Sequence, residues 1–393
     1  MEVLHVLGRG LDKVPTMIRS IMSWLLAAII TAAVAETAAF VGLRILGMPT
    51  TYAKPNRTEN NPWGAWGKPN SVSRHAFECY DVPYRFNSVG ARDVERSLQG
   101  EGRWIAIGDS FMEGYGLPEE DRVSNLIESA TGHQILNFST SGNFGPLQYL
   151  ILYQQLASKF EHKGLMVGFL PDNDFQDNDP IWYEKNRSKG HWLRHRPYYE
   201  LAPDGNSFKI RYGVHGETIP SDDLDKEPMR PTESAIQNAI GNVKRTTSLN
   251  VKDAARHSSF FTLLHSVGAK VLAPKTSDEQ DAQAGYFMTD AKAARAAELI
   301  FASLADSAMD KQKVMLIFPR DIDLNNQRKT GKKGSPEFLA FLEHVSKQGW
   351  QIIDLSDLET IQNMPDVTLG CNGHWNAAAN HAAAAAIEGR VKW

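Results

Sequence analysis

Short apolar runs alternate with helical patterns in two parts of this 393-residue chain, and this alternation restricts the fold more than any other feature. Five runs have the length and composition of strands: 104–107, 134–138, 165–170, 314–318 and 351–355. Strands that alternate with helices predict a parallel sheet covered on both faces. We therefore expect an α/β fold with a mainly five-stranded parallel sheet.

Candidate functional residues follow four of these strands, at the edge where a parallel sheet collects its functional groups. Ser110 follows the first strand, Gly142 the second and Asn173 the third. His374 follows the fifth strand and precedes the last helix. A neutral imidazole can deprotonate a serine hydroxyl, and N–H groups can stabilise an oxyanion. The four positions together predict a nucleophilic active site.

The segments around these residues resemble the sequence blocks of the SGNH (GDSL-type) hydrolases. They are GDSF at 108–111, NFSTSG at 137–142, DNDF at 172–175 and GHWNAAANHAAAAAI at 373–387. The segment FNSVGARDVE at 86–95 is similar to membrane-tethered bacterial members. The resemblance implies a three-layer α/β/α, flavodoxin-like fold that hydrolyses or transfers acyl esters. It also implies that Ser110 is the nucleophile, that His374 is the base, and that the oxyanion hole consists of the Ser110 N–H, the Gly142 N–H and Asn173.

One position departs from the family pattern. The family usually has an aspartate two or three residues before the histidine, where this chain has Asn372 and Cys371. The amide oxygen of Asn372 can accept the imidazole N–H, but it carries no full charge to stabilise imidazolium. Three alternatives follow: Asn372 is the third catalytic residue, Asp366 or another carboxylate replaces it, or the site is weak or inactive.

The N-terminus indicates export. An uncharged run at 20–35 follows basic residues, and its apolar character continues to Leu43, which gives about 24 residues, enough to cross a bilayer. We expect an uncleaved signal anchor with the bulk of the chain outside the cytoplasm, although this places Glu36 within the span. The alternatives are signal cleavage before Glu36 and a buried cytosolic helix.

Composition excludes several other classes of protein. Lys and Arg total 42 against 46 Asp and Glu, so no basic excess points to nucleic acid. The two cysteines exclude a cysteine-rich zinc site, and they can either pair or remain free thiols. The acidic run at 172–179 lacks the glycine and terminal glutamate of an EF-hand loop. We expect no metal and no cofactor, and the sequence predicts no oligomeric state.

Three segments follow from these patterns. Residues 1–48 form the signal anchor, and 49–100 form an irregular segment that packs on the domain through its aromatic residues. Residues 101–393 form the SGNH-like domain, with a cap insertion at about 176–285. The aromatic stretch from Trp182 to Tyr199 in this insertion either stacks on sugars or forms the core of the cap.

The prediction is an extracytoplasmic, membrane-anchored serine esterase that acts on acyl esters, including acetyl esters. A cell-envelope polysaccharide is the expected partner, because the protein is exported and carries the aromatic insertion. The first alternative is an O-acyltransferase that uses a sugar hydroxyl in place of water. The second is a non-catalytic glycan-binding protein with a disabled site, which Asn372 suggests.

Overall fold

The computed structural model describes residues 16–186, 196–213, 258–272 and 285–393. The described residues form two units, one with the N-terminal helix and a helix near residue 265, the other with the sheet. The elements up to the first strand of the main sheet are α1 (Thr16–Ile45), β1 (Arg57–Asn61), β2 (Gly64–Gly67), β3 (Ser71–Phe77), β4 (Tyr80–Phe86) and β5 (Trp104–Ile107).

The next elements carry the chain through the sheet and the insertion. They are α2 (Ser110–Glu113), α3 (Val123–Thr131), β6 (Ile135–Asn137), α4 (Pro146–Gln155), β7 (Gly164–Phe169), α5 (Pro171–Asp174), α6 (Pro180–Lys185), β8 (Arg196–Leu201), β9 (Phe208–Gly213) and α7 (Ser259–Leu272).

The last third of the chain completes the sheet and its helices. Its elements are α8 (Ala291–Ser307), β10 (Gln312–Ile317), α9 (Asp321–Thr330), α10 (Pro336–Lys347), β11 (Gln351–Asp354), α11 (Glu359–Gln362) and α12 (Ala377–Glu388).

The main sheet has five parallel strands in the order β11-β10-β7-β5-β6. The predicted five-stranded parallel α/β fold is thus confirmed. The strands along the chain take the order 2-1-3-4-5, which is the flavodoxin-like arrangement. Its switch point lies between β5 and β7, so a ligand crevice is expected beyond their carboxyl ends.

Alternate side chains of the strands enter two apolar layers. Ile105 and Ile107 of β5 pack in the layer with α4, α8 and α10, whereas Trp104 and Ala106 pack in the layer with α3 and α12. All four side chains are fully buried. Helices therefore cover both faces of the sheet, which gives the three-layer architecture.

The segment 49–100 is more regular than the sequence suggested. It contains two antiparallel hairpins, β1–β2 and β3–β4. In β4, alternate residues are buried, which is the period-two pattern of a half-buried strand. The aromatic residues Trp63 and Trp66 of the first hairpin region are buried in the larger apolar core, with Ile105 and Ile107 of β5.

The insertion predicted at about 176–285 lies partly outside the described residues. Its described parts include the hairpin β8–β9 and helix α7, and α7 belongs to the unit that contains α1. Tyr183, Tyr198 and Tyr199 are buried, which agrees with a core role and not with sugar stacking. Trp192 lies outside the described residues.

Helix α1 contains a segment, Ser20–Ile45, that is long and apolar enough to cross a membrane, with a mean hydropathy of 2.0. Within the residues that the structure describes, it is the single helix of this kind. Its position near the N-terminus is compatible with a signal anchor.

Candidate active site

Ser110 and His374 meet at the carboxyl edge of the sheet. Ser110 begins α2 directly after β5, and Asp109 caps this short helix by accepting the Phe111 N–H. His374 lies in the loop before α12. Its Nε2 is 2.9 Å from the Ser110 Oγ. The distance suits transfer of the hydroxyl proton to the imidazole.

Asn372 orients the imidazole from the other side. Its Oδ1 accepts the Nδ1–H of His374 at 3.0 Å and also the His374 backbone N–H at 3.0 Å. This contact fixes the tautomer in which Nε2 is free to accept a proton from Ser110. Asp366 instead accepts the N–H and hydroxyl of Thr368, and among the described residues the Nδ1 of His374 is bonded to Asn372 and not to Asp366.

Aromatic packing holds the histidine ring in place. The ring of Tyr115 stacks on that of His374, with centroids 4.0 Å apart and planes 16° apart. The next residue, Trp375, is buried and donates its indole N–H to the Pro319 carbonyl at 3.0 Å. The imidazole is therefore fixed by a stacked ring and by an anchored neighbour.

The surroundings of His374 keep it neutral. Burial lowers its pKa to about 4, and the positive charge of Arg320 acts in the same direction. Arg320 follows β10 and donates to Asp172 at 2.6 Å. A neutral imidazole is the form that a general base requires, and it is available here throughout the physiological pH range.

The loop after β6 places Gly142 in the same cleft as Ser110. Gly142 has a φ of 109°, a conformation that favours glycine because it has no Cβ. Both Gly142 and Ser110 line the same cleft. In the part of the chain that the structure describes, no protein group accepts the backbone N–H of either residue. Both donors are therefore available to a bound oxygen atom.

Asn173 lies on α5 at the same edge, above a group of buried carboxylates. Its Nδ2 donates to Asp177 at 2.7 Å and contacts Asp109 at 3.4 Å. Burial raises the pKa of Asp109 to about 7 and also raises the pKa of Asp177. The amide N–H groups thus face carboxylates here, and the 3.4 Å contact is the weaker of the two.

An arginine that sequence reasoning missed supports the Gly142 loop. Arg57 of β1 donates to the Ser141 hydroxyl at 2.7 Å, to the Thr140 hydroxyl and to Glu113 at 2.6 Å. Glu113 is fully buried and also accepts the Ser141 N–H at 3.0 Å. Burial alone would raise the pKa of Glu113, but Arg57 and Arg92 outweigh this effect and the pKa is lowered. A buried ion pair therefore holds the loop that presents Gly142.

Arg92 fixes the C-terminal end of α2. It donates to the carbonyls of Glu113, Gly114 and Leu117, and its guanidinium lies 3.5 Å from the ring centroid of Tyr84. Arg92 belongs to the FNSVGARDVE segment. This segment thus supports the site indirectly, through the backbone of α2.

These residues surround a cleft of about 630 Å³, which is within the range of ligand pockets. Its lining includes Ser110, His374, Gly142 and Asn173 together with the cationic side chains of Lys54, Arg57 and Arg320. Arg57 and Arg320 have acidic partners, and Lys54 is exposed. The four predicted site residues from separate strand ends therefore share one cavity.

A disulfide joins Cys79 to Cys371, which decides between the two alternatives left by the sequence. Cys371 directly precedes Asn372. The described residues contain no group of three or more His, Cys, Asp or Glu side chains that would hold a metal ion. The acidic run at 172–179 instead uses its carboxylates in hydrogen bonds, such as that from Tyr149 to Asp174 at 2.8 Å.

Comparison with known proteins adds a distant structural likeness. No protein-family model and no curated protein matches the sequence. Among solved structures, a carbohydrate esterase family 2 enzyme with a carbohydrate binding domain from Corynascus thermopiles (Myceliophthora fergusii) is similar at 12% identity. The match covers 76% of this chain and 67% of that chain, with a TM-score of 0.32. The chemistry of this chain must therefore be inferred from its own residues.

Proposed function

We propose that this protein is a serine esterase of the SGNH type that cleaves acyl esters. The observation that carries the proposal is the chain of contacts from Ser110 through His374 to Asn372, with 2.9 Å and 3.0 Å between successive heavy atoms. Such a chain is the arrangement of an activated nucleophile, its base and the group that orients the base. Glycan binding by a non-catalytic protein does not require this arrangement of hydroxyl, imidazole and amide.

The reaction proceeds in two halves. The Ser110 Oγ attacks the ester carbonyl while the Nε2 of His374 takes the hydroxyl proton. The tetrahedral intermediate then collapses, the imidazolium returns the proton to the departing alcohol, and an acyl-enzyme remains. Water attacks the acyl-enzyme by the same steps, which releases the acid and restores Ser110.

The oxyanion of each intermediate is stabilised by N–H donors at the strand ends. The backbone N–H groups of Ser110 and Gly142 have no protein acceptor among the described residues and are the first two donors. Asn173 is the third, and its N–H leaves the long contact with Asp109 to reach the substrate oxygen. Loss of one such donor typically costs about 100- to 1,000-fold in rate.

Asn372 is the third residue in the chain of contacts that begins at Ser110. It supports the neutral base through its amide oxygen, but it offers no full negative charge to the imidazolium that forms. In serine proteases the change from aspartate to asparagine lowers turnover by about 10,000-fold, largely through the tautomer. Here the amide oxygen is already turned toward Nδ1, so the productive tautomer is retained.

The proposed location is the outer side of the cytoplasmic membrane. The apolar helix α1 supports an anchor, and the disulfide between Cys79 and Cys371 supports an oxidising compartment. The proposed substrate class is an acylated cell-envelope polysaccharide. It would be bound at the cleft, which carries polar groups for hydroxyl-rich ligands along its wall.

Reaction with a fluorophosphonate tests the nucleophile without knowledge of the substrate. The Ser110 Oγ should displace fluoride and form a phosphonyl adduct, which peptide mass spectrometry locates. Ser110→Ala and His374→Ala should abolish the adduct, whereas Ser141→Ala should keep it at Ser110, because the Ser141 hydroxyl contacts Arg57 and the His374 imidazole contacts the Ser110 hydroxyl instead. An adduct elsewhere, or none on the folded protein, would contradict the mechanism.

Hydrolysis and acyl transfer share the first half-reaction, so the acceptor must be tested separately. A protein loaded with an acetyl group from an activated aryl acetate is given an oligosaccharide in water. Release of free acetate supports the esterase. If acetylated oligosaccharide forms in preference to acetate, the protein is the alternative, an O-acyltransferase.

A further inference from the structure

Helix α7 packs along the second half of the apolar helix α1, within one unit of the structure. Its first residues lie beside Glu36, and Ser266, about two turns later, contacts the hydroxyl of Tyr52 at 2.7 Å. Glu36 precedes the end of α1 and Tyr52 follows it. The buried residues Ala39 and Leu43 of α1 both follow Glu36, so α7 lies alongside the part of α1 that approaches its C-terminal end.

The polarity of α7 is the reverse of that of a helix on a water-soluble protein. Its small hydroxyl residues are buried: Ser259 at 4%, Thr262 at 3% and Ser266 at 3% exposure. Its large apolar residues are exposed at 37–54%, namely Phe260, Phe261, Leu264 and Val267. Surface helices in water bury the apolar stripe and expose the polar one.

The contact between the helices is of the kind found in membranes. Thr262 and Ser266 donate their hydroxyls to carbonyls one turn earlier, at 2.9 and 3.0 Å, so neither needs water. On α1, the small side chain of Ala39 is buried in the same unit. Small residues at the interface and apolar residues outside are typical of helix pairs in lipid, where close backbone approach drives association.

Glu36 provides a second, independent observation. It is the acidic residue within the apolar span of α1, where a lone charge would be costly. Its carboxylate accepts the Ser258 hydroxyl at 2.6 Å, the Ser259 N–H at 2.5 Å and the Phe260 N–H at 3.1 Å. The first N–H groups of a helix lack partners within it, so α7 and Glu36 satisfy each other's polar groups.

We propose that α7 is a second membrane element, a re-entrant helix embedded in the bilayer beside α1. Its apolar face, formed by Phe260, Phe261, Leu264 and Val267, contacts lipid acyl chains. The helix is about 21 Å long, too short to cross a hydrocarbon core of about 30 Å. Glu36 lies nine residues, or about 14 Å, before the end of α1, so α7 starts well inside the hydrocarbon. The proposal rests on α1 being the membrane anchor.

Spin labels on single cysteines test the location of α7. The native cysteines pair with each other, so an introduced cysteine is the one free thiol of the chain. Phe261→Cys and Leu264→Cys are labelled with a nitroxide in the full chain, reconstituted into phosphatidylcholine–phosphatidylglycerol vesicles. Phe40→Cys reports on α1, and Val72→Cys, which is 67% exposed in β3, reports on the aqueous side.

Collisions with oxygen, which enters lipid, are compared with collisions with a water-soluble nickel chelate. Labels at 261 and 264 should match the label at 40, with oxygen collisions dominant. Nickel collisions at 261 equal to those at 72 would overturn the proposal. Low access to both reagents with spin–spin broadening would also overturn it, because a second copy of the chain would then cover this face. An aqueous label at 40 would instead reject the anchor.

The role of Glu36 has its own test. Glu36→Ala removes the acceptor of three hydrogen bonds and should raise nickel access at the label on residue 261 several-fold. Thr37→Ala is the matched control, because the Thr37 hydroxyl bonds to the Ala33 carbonyl of its own helix. An unchanged label in Glu36→Ala would overturn the role of Glu36 in holding α7.

Discussion

Cys79 and Cys371 are covalently joined, so the turn between β3 and β4 is tied to the loop that carries His374. The bond closes a loop of 292 residues, and Cys371 stands three residues before the histidine. The disulfide therefore restrains both the fold of the chain and the loop that carries His374.

The double variant Cys79→Ser/Cys371→Ser should lower the free energy of unfolding by about 2–5 kcal/mol. It should also slow phosphonylation of Ser110, since Asn372 follows Cys371 directly and His374 lies two residues further on. Urea unfolding and the labelling rate measure the two effects. Mild reduction of the native protein should reproduce both, and an unaltered unfolding midpoint would refute the prediction.

Asn372→Asp should increase the labelling rate of Ser110. A carboxylate keeps the acceptor for the Nδ1–H of His374 and adds a charge that stabilises the imidazolium. The same charge raises the pKa of His374, so the acid limb of the pH profile should move upward. Asn372→Ala is the matched control and should lower the rate at least tenfold. A slower Asn372→Asp enzyme would show that the site is built for a neutral partner.

The pH profile of Ser110 labelling should show an acid limb near pH 4. Burial and Arg320 lower the pKa of His374 to about 4, so the base is neutral above this value and is lost by protonation below it. Arg320→Gln should shift the limb to higher pH, because one of the two causes is removed. Arg390→Gln, two residues beyond the C-terminal end of α12, serves as the control. A limb near 6.5 in the native protein would contradict the effect of burial.

Arg57→Ala should destabilise the protein strongly, by about 3–5 kcal/mol, because it leaves the fully buried carboxylate of Glu113 without its ion-pair partner. The second change in Arg57→Ala/Glu113→Gln should restore much of the unfolding free energy. Labelling of Ser110 should remain slow in both variants, since the loop with Gly142 loses its support. Labelling of Ser110 at the native rate in the double variant would show that Arg57 has only a structural role.

Asp109 should make stability depend on pH between about 4 and 7. Its pKa is raised to about 7 in the folded protein, so the folded state holds this proton more tightly than the unfolded chain. This contribution is complete below the unfolded pKa and is lost as the pH rises through 7. Asp109→Asn keeps an acceptor for the Phe111 N–H and should reduce the loss of stability between pH 5 and 8. Asp366→Asn, at an exposed position with a lowered pKa, should not reduce this loss.

The sheet could be predicted from the sequence because each of its strands is a short apolar run with helices around it. The strand Trp104–Ile107 begins and ends where expected, and the others differ by at most two residues at either end. The topology then brings together residues at strand ends that are 264 positions apart, as Ser110 and His374 are. For this part of the site, local pattern and sheet geometry are sufficient.

The residues that support the site could not be predicted, because their pairings leave no local pattern in the sequence. Arg57 and Glu113 belong to different elements, and nothing in either segment indicates the other. The hairpin β3–β4 had a signal, since Tyr80, Val82, Tyr84 and Phe86 alternate with polar or proline positions. Helix α9 had almost no sequence signal, because its sequence DIDLNNQRKT has too few apolar residues to show a helical period.

The face-to-face stack of Tyr115 on His374 gives the imidazole its own spectroscopic reporter. Imidazole carbon-bound protons lie in the shielding region of the phenol ring at a centroid separation of 4.0 Å. Their NMR signals should therefore appear upfield of those of an ordinary histidine and return downfield in Tyr115→Leu. The protonation and movement of the His374 ring can thus be followed from its own resonances, before any natural substrate is known.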